Sequence, residues 1–78
     1  KIYLTCENPG SHQDVAKTPI IINTTNHTIS ASTKVYWKAT DGDHGYVQGP
    51  FAINESKTAL GNPGNGYQCE AWYQVQLP

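Results

Sequence analysis

The chain has 78 residues, a formal net charge of −1, five lysines and no arginine. A chain of this length forms one domain with a small core, and it usually needs a disulfide, a metal or oligomerisation for stability. Because nucleic-acid-binding proteins concentrate Arg and Lys, the charge argues against that class of partner. The longest apolar run, Ile20-Ile21-Ile22, is far shorter than the roughly 18 residues of a membrane span. We therefore expect residues 1–78 to form a single domain with no nucleic-acid partner and no membrane span.

Alternation of apolar and polar residues predicts β-strands along most of the chain. Successive strands are expected over residues 1–6, 17–23, 33–40, 46–48, 56–60 and 67–75, while residues 12–16 are ambiguous. The turn signals between these runs include Pro9-Gly10, Asp41-Gly42 and Asn65-Gly66. Since no stretch shows sustained helical periodicity, the pattern indicates an all-β fold, and we expect a small antiparallel sandwich.

Strand parity assigns the side chains to the two faces of the predicted sheets. The residues expected to point inward include Ile20, Ile22, Trp37, Cys69 and Ala71. The same parity places Tyr36 and Trp72 on the outer face. We therefore expect Trp37 to be buried and Trp72 to be at least partly exposed.

Cys6 and Cys69, near opposite ends of the chain, are the only cysteines. Such a pair in a small domain indicates one disulfide and an oxidising compartment, with two free thiols in a cytosolic protein as the alternative. Neither cysteine has a nearby Cys or His at zinc-ligand spacing. Because the first residue is Lys1 and not methionine, we expect removal of a signal peptide and a secreted, extracellular or periplasmic location.

Several short motifs occur in an order that is similar to that of small secreted bacterial immunoglobulin-like domains. They are Ile20-Ile21-Ile22-Asn23-Thr24-Thr25, Ile29, Ser32-Thr33-Lys34-Val35-Tyr36-Trp37, Ile53-Asn54-Glu55-Ser56 and Gly66-Tyr67-Gln68-Cys69. The resemblance implies an immunoglobulin-like sandwich of about six to seven strands. It also implies an adhesion, scaffold or recognition role without catalytic residues, although a fold alone does not choose among these.

Compared with that family, the chain ends where a final strand is expected. A sheet that lacks this strand leaves the strand from Tyr67 to Val75 with an unpaired edge, which is a template for association. Either Lys1–Cys6 pairs with the last strand of its own chain, or a strand of another copy takes the unpaired edge and produces a polymer. The position of Cys6 favours the first arrangement, because a bond to Cys69 needs Cα atoms within about 7 Å. We therefore expect a domain closed on itself that assembles through its faces or edges, with polymerisation as the alternative.

Few residues suggest chemistry. Asp41 and Asp43 resemble the start of a calcium loop, but Ala52 stands where an EF-hand needs its last acidic ligand, so a hairpin turn is the main interpretation and a two-carboxylate metal site the minor one. The histidines are scattered, and no Ser-His-Asp arrangement is evident. We expect no enzymatic activity and no cofactor. Three asparagines lie in N-glycosylation sequons and are minor candidates for a glycan, namely Asn23, Asn26 and Asn54.

The predicted outer face gives a clearer indication of a binding site than these motifs do. Tyr36 and Trp72 are expected on neighbouring strands, flanked by Lys34, Lys38, Gln68 and Gln74. Exposed aromatics beside amide and charged side chains suit a protein contact or sugar stacking, while ordinary cross-strand packing is the alternative. The sequence therefore predicts a structural or adhesive module, including a self-assembling surface or fibre subunit, that contacts protein. The competing prediction is a small carbohydrate-binding module that contacts a polysaccharide.

Overall fold

The computed structural model describes residues 1–10 and 18–75. This part of the chain contains six strands and no helix: β1 (Ile2–Glu7), β2 (Ile20–Ile22), β3 (Lys34–Ala39), β4 (His44–Gln48), β5 (Ser56–Thr58) and β6 (Cys69–Tyr73). It accordingly contains no helix that is long and apolar enough to cross a membrane. The ambiguous residues 12–16 and Lys17, the predicted start of the second strand, lie outside the described residues.

All six strands pair antiparallel in one sheet with the order β4-β3-β6-β1-β2-β5. The sheet curls into a half-barrel. The all-β prediction is thus confirmed, and so is the existence of each predicted strand. Most observed strands are shorter than predicted, whereas β4 is longer and begins at His44, which was expected in the preceding turn. Between β2 and β3, Ile29 forms an isolated bridge with Phe51.

Strand β1 divides its pairing between two neighbours. Its first half pairs with β6, where Leu4 lies opposite Ala71. Its second half pairs with β2, where Cys6 lies opposite Ile21. Strand β6 is therefore covered on both sides, by β1 and by β3, and the prediction that the N-terminal strand pairs with the last strand of its own chain is confirmed.

A disulfide joins Cys6 to Cys69 across a Cα–Cα distance of 5.6 Å, as predicted. The two residues continue the register in which Leu4 faces Ala71, although β1 has by then begun to pair with β2. The covalent bond thus holds β1 to β6 at the position where the hydrogen-bonded ladder between them ends.

The core lies inside the curl of the sheet. Its buried apolar side chains are Leu4, Ile21, Ile29, Val35, Trp37, Ala39, Phe51, Ala59, Tyr67 and Ala71. Trp37, on the central strand β3, is 1 % exposed, as parity predicts. Its indole fits against two backbone segments that carry no side chain, at Gly45 and Gly61.

The predicted facing of β2 is wrong. Ile21 is fully buried, whereas Ile20 and Ile22 are only partly buried. The register with β1 explains the difference, because Ile21 is paired with the inward-facing Cys6. Asn23 is also buried and has the same parity as Ile21. Because this inward-facing residue is polar, the alternation of hydropathy assigns the faces of β2 the wrong way round.

The buried side chain of Asn23 organises the loop that follows β2. Its Nδ2 donates to the backbone oxygens of His27 (2.7 Å) and Ala52 (3.1 Å). Its Oδ1 accepts from the N–H and the hydroxyl of Thr25. A buried amide with both ends bonded stabilises the local structure, whereas an unpaired one costs about 1–3 kcal/mol. Asn23 thus fixes the segment 23–29 against the segment 51–55.

Loss of the disulfide should destabilise the domain strongly. A cross-link between residues 63 positions apart removes chain entropy from the unfolded state, which corresponds to about 4 kcal/mol on the loop-closure model. We expect the double variant Cys6→Ser, Cys69→Ser to unfold at a much lower urea concentration than the native protein. Equal urea midpoints, measured by circular dichroism, would contradict this dependence on the bond.

Substitution of Gly61 should disturb the packing of Trp37. A Cβ at this position would lie 2.6 Å from the indole ring, so the ring or the loop must move. We expect Gly61→Ala to lower the free energy of unfolding by about 1–3 kcal/mol, as overpacking usually does. Gly64→Ala is the matched control, since its Cβ would meet only an Asp41 carboxylate oxygen at 3.4 Å. Equal urea midpoints for the two variants would show that Gly61 is not required for the packing of Trp37.

Candidate functional site

Four aromatic side chains lie side by side on the outer, convex face of the sheet. Tyr3 of β1 is in register with Trp72 of β6, Trp72 with Tyr36 of β3, and Tyr36 with Tyr46 of β4. The successive ring centroids are 6.4, 6.3 and 6.1 Å apart. We call these four residues the aromatic row. It crosses four adjacent strands and places large apolar surface where solvent reaches it.

Strand parity explains why the row points outward. On each strand the neighbours of the row residue face the core, as Leu4 does on β1, Ala71 on β6 and Val35 on β3. Tyr3 and Tyr46, at the ends of the row, are 54 % and 51 % exposed, and Tyr36 is 39 % exposed. Trp72, near the middle, is partly buried by its neighbours. The prediction that Trp37 is buried and Trp72 partly exposed is therefore confirmed.

Two lysines lie over rings of the aromatic row. The Nζ of Lys1 is 4.6 Å from the Trp72 ring centroid, and the Nζ of Lys34 is 4.8 Å from the Tyr46 centroid. Both distances fall within the range of cation–π attraction, which contributes about 0.5–1 kcal/mol at exposed sites. The ammonium groups make the face cationic and occupy part of the ring surface of Trp72 and Tyr46.

The other predicted face residues lie on either side of the row. Lys34 and Gln74 line a groove of ≈ 790 Å³ together with Tyr36 and with a cluster of hydroxyl side chains described below. Lys38 and Gln68 line a smaller recess of ≈ 380 Å³ beyond the opposite side. The structure thus brings Tyr36 and Trp72 into contact and divides their polar companions between two recesses.

The hydroxyl cluster in the larger groove consists of Ser30, Ser32 and Thr33. The Ser30 hydroxyl is 2.7 Å from the Thr33 hydroxyl and 3.2 Å from that of Ser32. These groups satisfy one another within the loop before β3. They nevertheless give the groove beside Tyr36 a polar wall.

Sequence reasoning missed three members of the face, namely Tyr3, Tyr46 and Lys1. Parity alone puts Tyr3 on the outer face of β1 and Tyr46 on that of β4. The expected pairing of the first strand with the last, and the hairpin turn after Ala39, are the signals that could have found them. What parity does not supply is the register that sets Tyr3 opposite Trp72 and Tyr46 opposite Tyr36.

Asp41 and Asp43, the candidate metal ligands, brace the loop between β5 and β6. Asp41 Oδ2 accepts from the N–H of Gly64 at 2.6 Å, and Asp43 Oδ2 accepts from the N–H of Asn62 at 3.2 Å. The remaining carboxylate oxygens accept from N–H groups of their own turn. Among the described residues, no group of three or more His, Cys, Asp or Glu side chains is placed to hold a metal ion. The arrangement makes the pair a structural clasp between two loops.

The three sequon asparagines differ in accessibility. The Nδ2 of Asn23, to which a glycan would be attached, is buried and donates two hydrogen bonds. Asn26 and Asn54 are exposed and have left-handed backbone conformations with φ of 70° and 67°. In the folded protein the accessible sequon asparagines are therefore Asn26 and Asn54.

Comparison with known proteins finds no match to a protein family, to a curated protein or to a solved structure. Fold and surface together define a disulfide-bonded all-β module with an exposed aromatic face. Its function is inferred from that geometry.

Acid should weaken the clasp at Asp41. The Gly64 N–H, followed by that of Asp43, holds the pKa of the Asp41 carboxyl below its usual range. A carboxyl with a depressed folded-state pKa stabilises above its unfolded pKa, and this stabilisation is lost as the pH falls through the folded value. We expect Asp41→Asn to lose less stability than the native protein when the pH is lowered through that range. Urea unfolding at neutral and strongly acidic pH measures both losses; identical losses would show that Asp41 carries none of the acid sensitivity.

Proposed function

We propose that the protein is a non-enzymatic extracellular module with an adhesive or structural role, and that the aromatic row is the surface with which it binds a protein partner. The proposal includes an immunoglobulin-like sandwich arrangement and secretion after removal of a signal peptide. The observation that carries it is the alignment of four partly exposed aromatic rings across four strands.

The extent of the row favours a binding role. Ordinary cross-strand packing of two surface aromatics already stabilises a sheet by up to about 1 kcal/mol. Here the contact is repeated across β1, β6, β3 and β4, and both end tyrosines remain about half exposed. Large amphipathic rings with only two rotatable side-chain bonds are the residues that contribute most to protein interfaces. A continuous exposed patch of this kind is typical of an interaction site.

Ring orientation favours protein over sugar as the partner. A pyranose ring stacks on an open aromatic face. In the row, the central pair Tyr36–Trp72 is stacked at 29°, but the outer rings tilt against it by 53° at Tyr3–Trp72 and 58° at Tyr36–Tyr46. Lysine ammonium groups lie over Trp72 and Tyr46. The surface is therefore ridged and cationic, which suits apolar side chains of a protein with acidic residues around them.

Charge on the outer face points to the same partner. Lys1, Lys34 and Lys38 lie on this face or at its border, together with two carboxylates: Glu70, which is in register with Lys38, and Glu7, which shares the outward parity of Tyr3 at the end of β1. Complementary charge raises association rates and selects partners more than it adds affinity. An acidic rim around an apolar patch is thus the chemistry that we expect in the partner.

The disulfide is consistent with an oxidising extracellular environment. A small domain stabilised by such a bond retains its fold outside the cell, where a module of this role must act. The second candidate function, carbohydrate binding, draws its support from the groove in which Tyr36 adjoins hydroxyl and amide groups.

A peptide selection tests the proposal. Random peptides displayed on phage are selected on the native protein and then measured against the variants Trp72→Ala and Tyr36→Ala. We expect the selected peptides to combine aromatic and acidic residues. Each variant should weaken their binding by about tenfold or more, the range of a central interface residue. Binding should also weaken with added salt.

Leu60→Ala is the matched control, because Leu60 is 92 % exposed and lies outside the row. Peptides that bind both row variants as tightly as the native protein would overturn the proposal. Retardation of the native protein in a polysaccharide gel, lost in the same two variants, would instead support the carbohydrate-binding function.

A further inference from the structure

The two edges of the sheet differ in how they are protected against pairing. Strand β5 ends one side and has three residues, of which Lys57 carries a charge that forms an ion pair with Glu55. Strand β4 ends the other side and has five residues, none of them Asp, Glu, Lys, Arg or Pro. Short length and lysine are common means of protecting an edge. By this measure β4 is open to pairing with another strand.

The hydrogen-bond pattern shows which groups of β4 are available. The N–H of Ala39 donates to the oxygen of Asp43, and that of Gly49 donates to the oxygen of Thr33, so odd-numbered residues of this segment bond to β3. In an antiparallel ladder the alternate residues direct their groups the other way. The backbone groups of His44, Tyr46 and Gln48 therefore point to the outer edge, where no strand of the described chain pairs with them.

We infer that two copies of the chain associate by antiparallel pairing of their β4 strands about a two-fold axis at Tyr46. The strand is centred on this residue, so such an axis sets Tyr46 against Tyr46 of the second copy and His44 against its Gln48. The His44 N–H already donates to the Asp43 carboxylate. Two bonds between the Tyr46 residues and two from Gln48 N–H groups to His44 oxygens remain, which gives four hydrogen bonds across the axis.

Side-chain chemistry is compatible with this pairing. A two-fold axis perpendicular to the sheet keeps both outer faces on the same side, so the aromatic row continues from one Tyr46 into the other. Paired residues in a hydrogen-bonded position are about 5.5 Å apart at Cα, close to the spacing that the rings already have within the row. The Lys34 backbones lie one strand further from the axis on each side, and each ammonium lies over the Tyr46 ring of its own copy. The strand positions paired across the axis, His44 with Gln48 and Tyr46 with Tyr46, include no Asp, Glu, Lys or Arg.

The association doubles the aromatic face and removes the open edge, but it does not depend on what the row binds. A five-residue edge is a small interface, so the dimer is expected to be concentration-dependent. The alternative occupant, an extended segment of an unrelated protein, would use the same edge groups but would leave the isolated chain monomeric.

Sedimentation equilibrium over a range of protein concentrations tests the inference. We expect the native chain to shift from 8.6 kDa towards twice that mass. Tyr46→Lys, which opposes two charges at the axis, should stay at the monomer mass at concentrations where the native chain is dimeric. Tyr3→Lys is the matched control, since Tyr3 is equally exposed at the other end of the row, and it should dimerise like the native chain.

A charge swap tests the register. Tyr46→Lys and Tyr46→Glu should each be monomeric alone and should form a dimer when mixed. Circular dichroism of both variants should show that they keep their sheet. A native chain that stays monomeric, a Tyr46→Lys variant that still dimerises, or a mixture that does not associate would overturn the inference. Trp72→Ala should leave the mass unchanged, so loss of the dimer in that variant would place the contact on the aromatic row and not on the β4 edge.

Discussion

The divided pairing of β1 is the constraint on which the rest of the structure depends. This strand alone contacts both β6 and β2, so the four-stranded part of the sheet and the β2-β5 part are joined through it. The change of partner occurs between Leu4 and Thr5, and the disulfide at Cys6 follows directly. Hydrogen bonds to β6 end there, and a covalent bond takes over their role. The described residues contribute ten buried apolar side chains to the core, which is a small number, and domains with small cores commonly depend on a cross-link.

The arrangement of the aromatic side chains on the outer face depends on the same constraint. Tyr3 reaches Trp72 because β1 lies beside β6, and the register fixed near Cys6–Cys69 sets which residues face one another. On the inner side, Trp37 occupies the space that Gly45 and Gly61 leave open. The two tryptophans thus have opposite roles on adjacent strands. One fills the core, while the other carries exposed ring surface and lies under the ammonium group of Lys1.

Alternation along each strand predicted much of this arrangement, and it failed where the position of a residue depends on its neighbours in the fold. Alternation placed Trp37 inside and Trp72 outside, because polar and apolar residues alternate clearly on β3 and β6. It misassigned β2, since three consecutive isoleucines carry no parity and the decisive neighbour, the buried Asn23, is polar. The pair Tyr36–Trp72 could be predicted once β3 and β6 were taken as neighbours. Tyr3 and Tyr46 were not added, because their places opposite Trp72 and Tyr36 depend on the register of the paired strands, which parity alone does not give.

Several acidic and basic residues have different structural roles. The carboxylates of Asp41, Asp43 and Glu55 accept backbone N–H groups and so hold turns and loops in place. Lys1 and Lys34 instead lie over exposed aromatic rings. A carboxylate that accepts backbone hydrogen bonds has part of its charge compensated locally, whereas an ammonium over a ring keeps its outer side hydrated and available to a partner. A chain with a net charge of −1 can therefore carry ammonium groups on its outer face, because three of its described carboxylates, those of Asp41, Asp43 and Glu55, are engaged by backbone N–H groups.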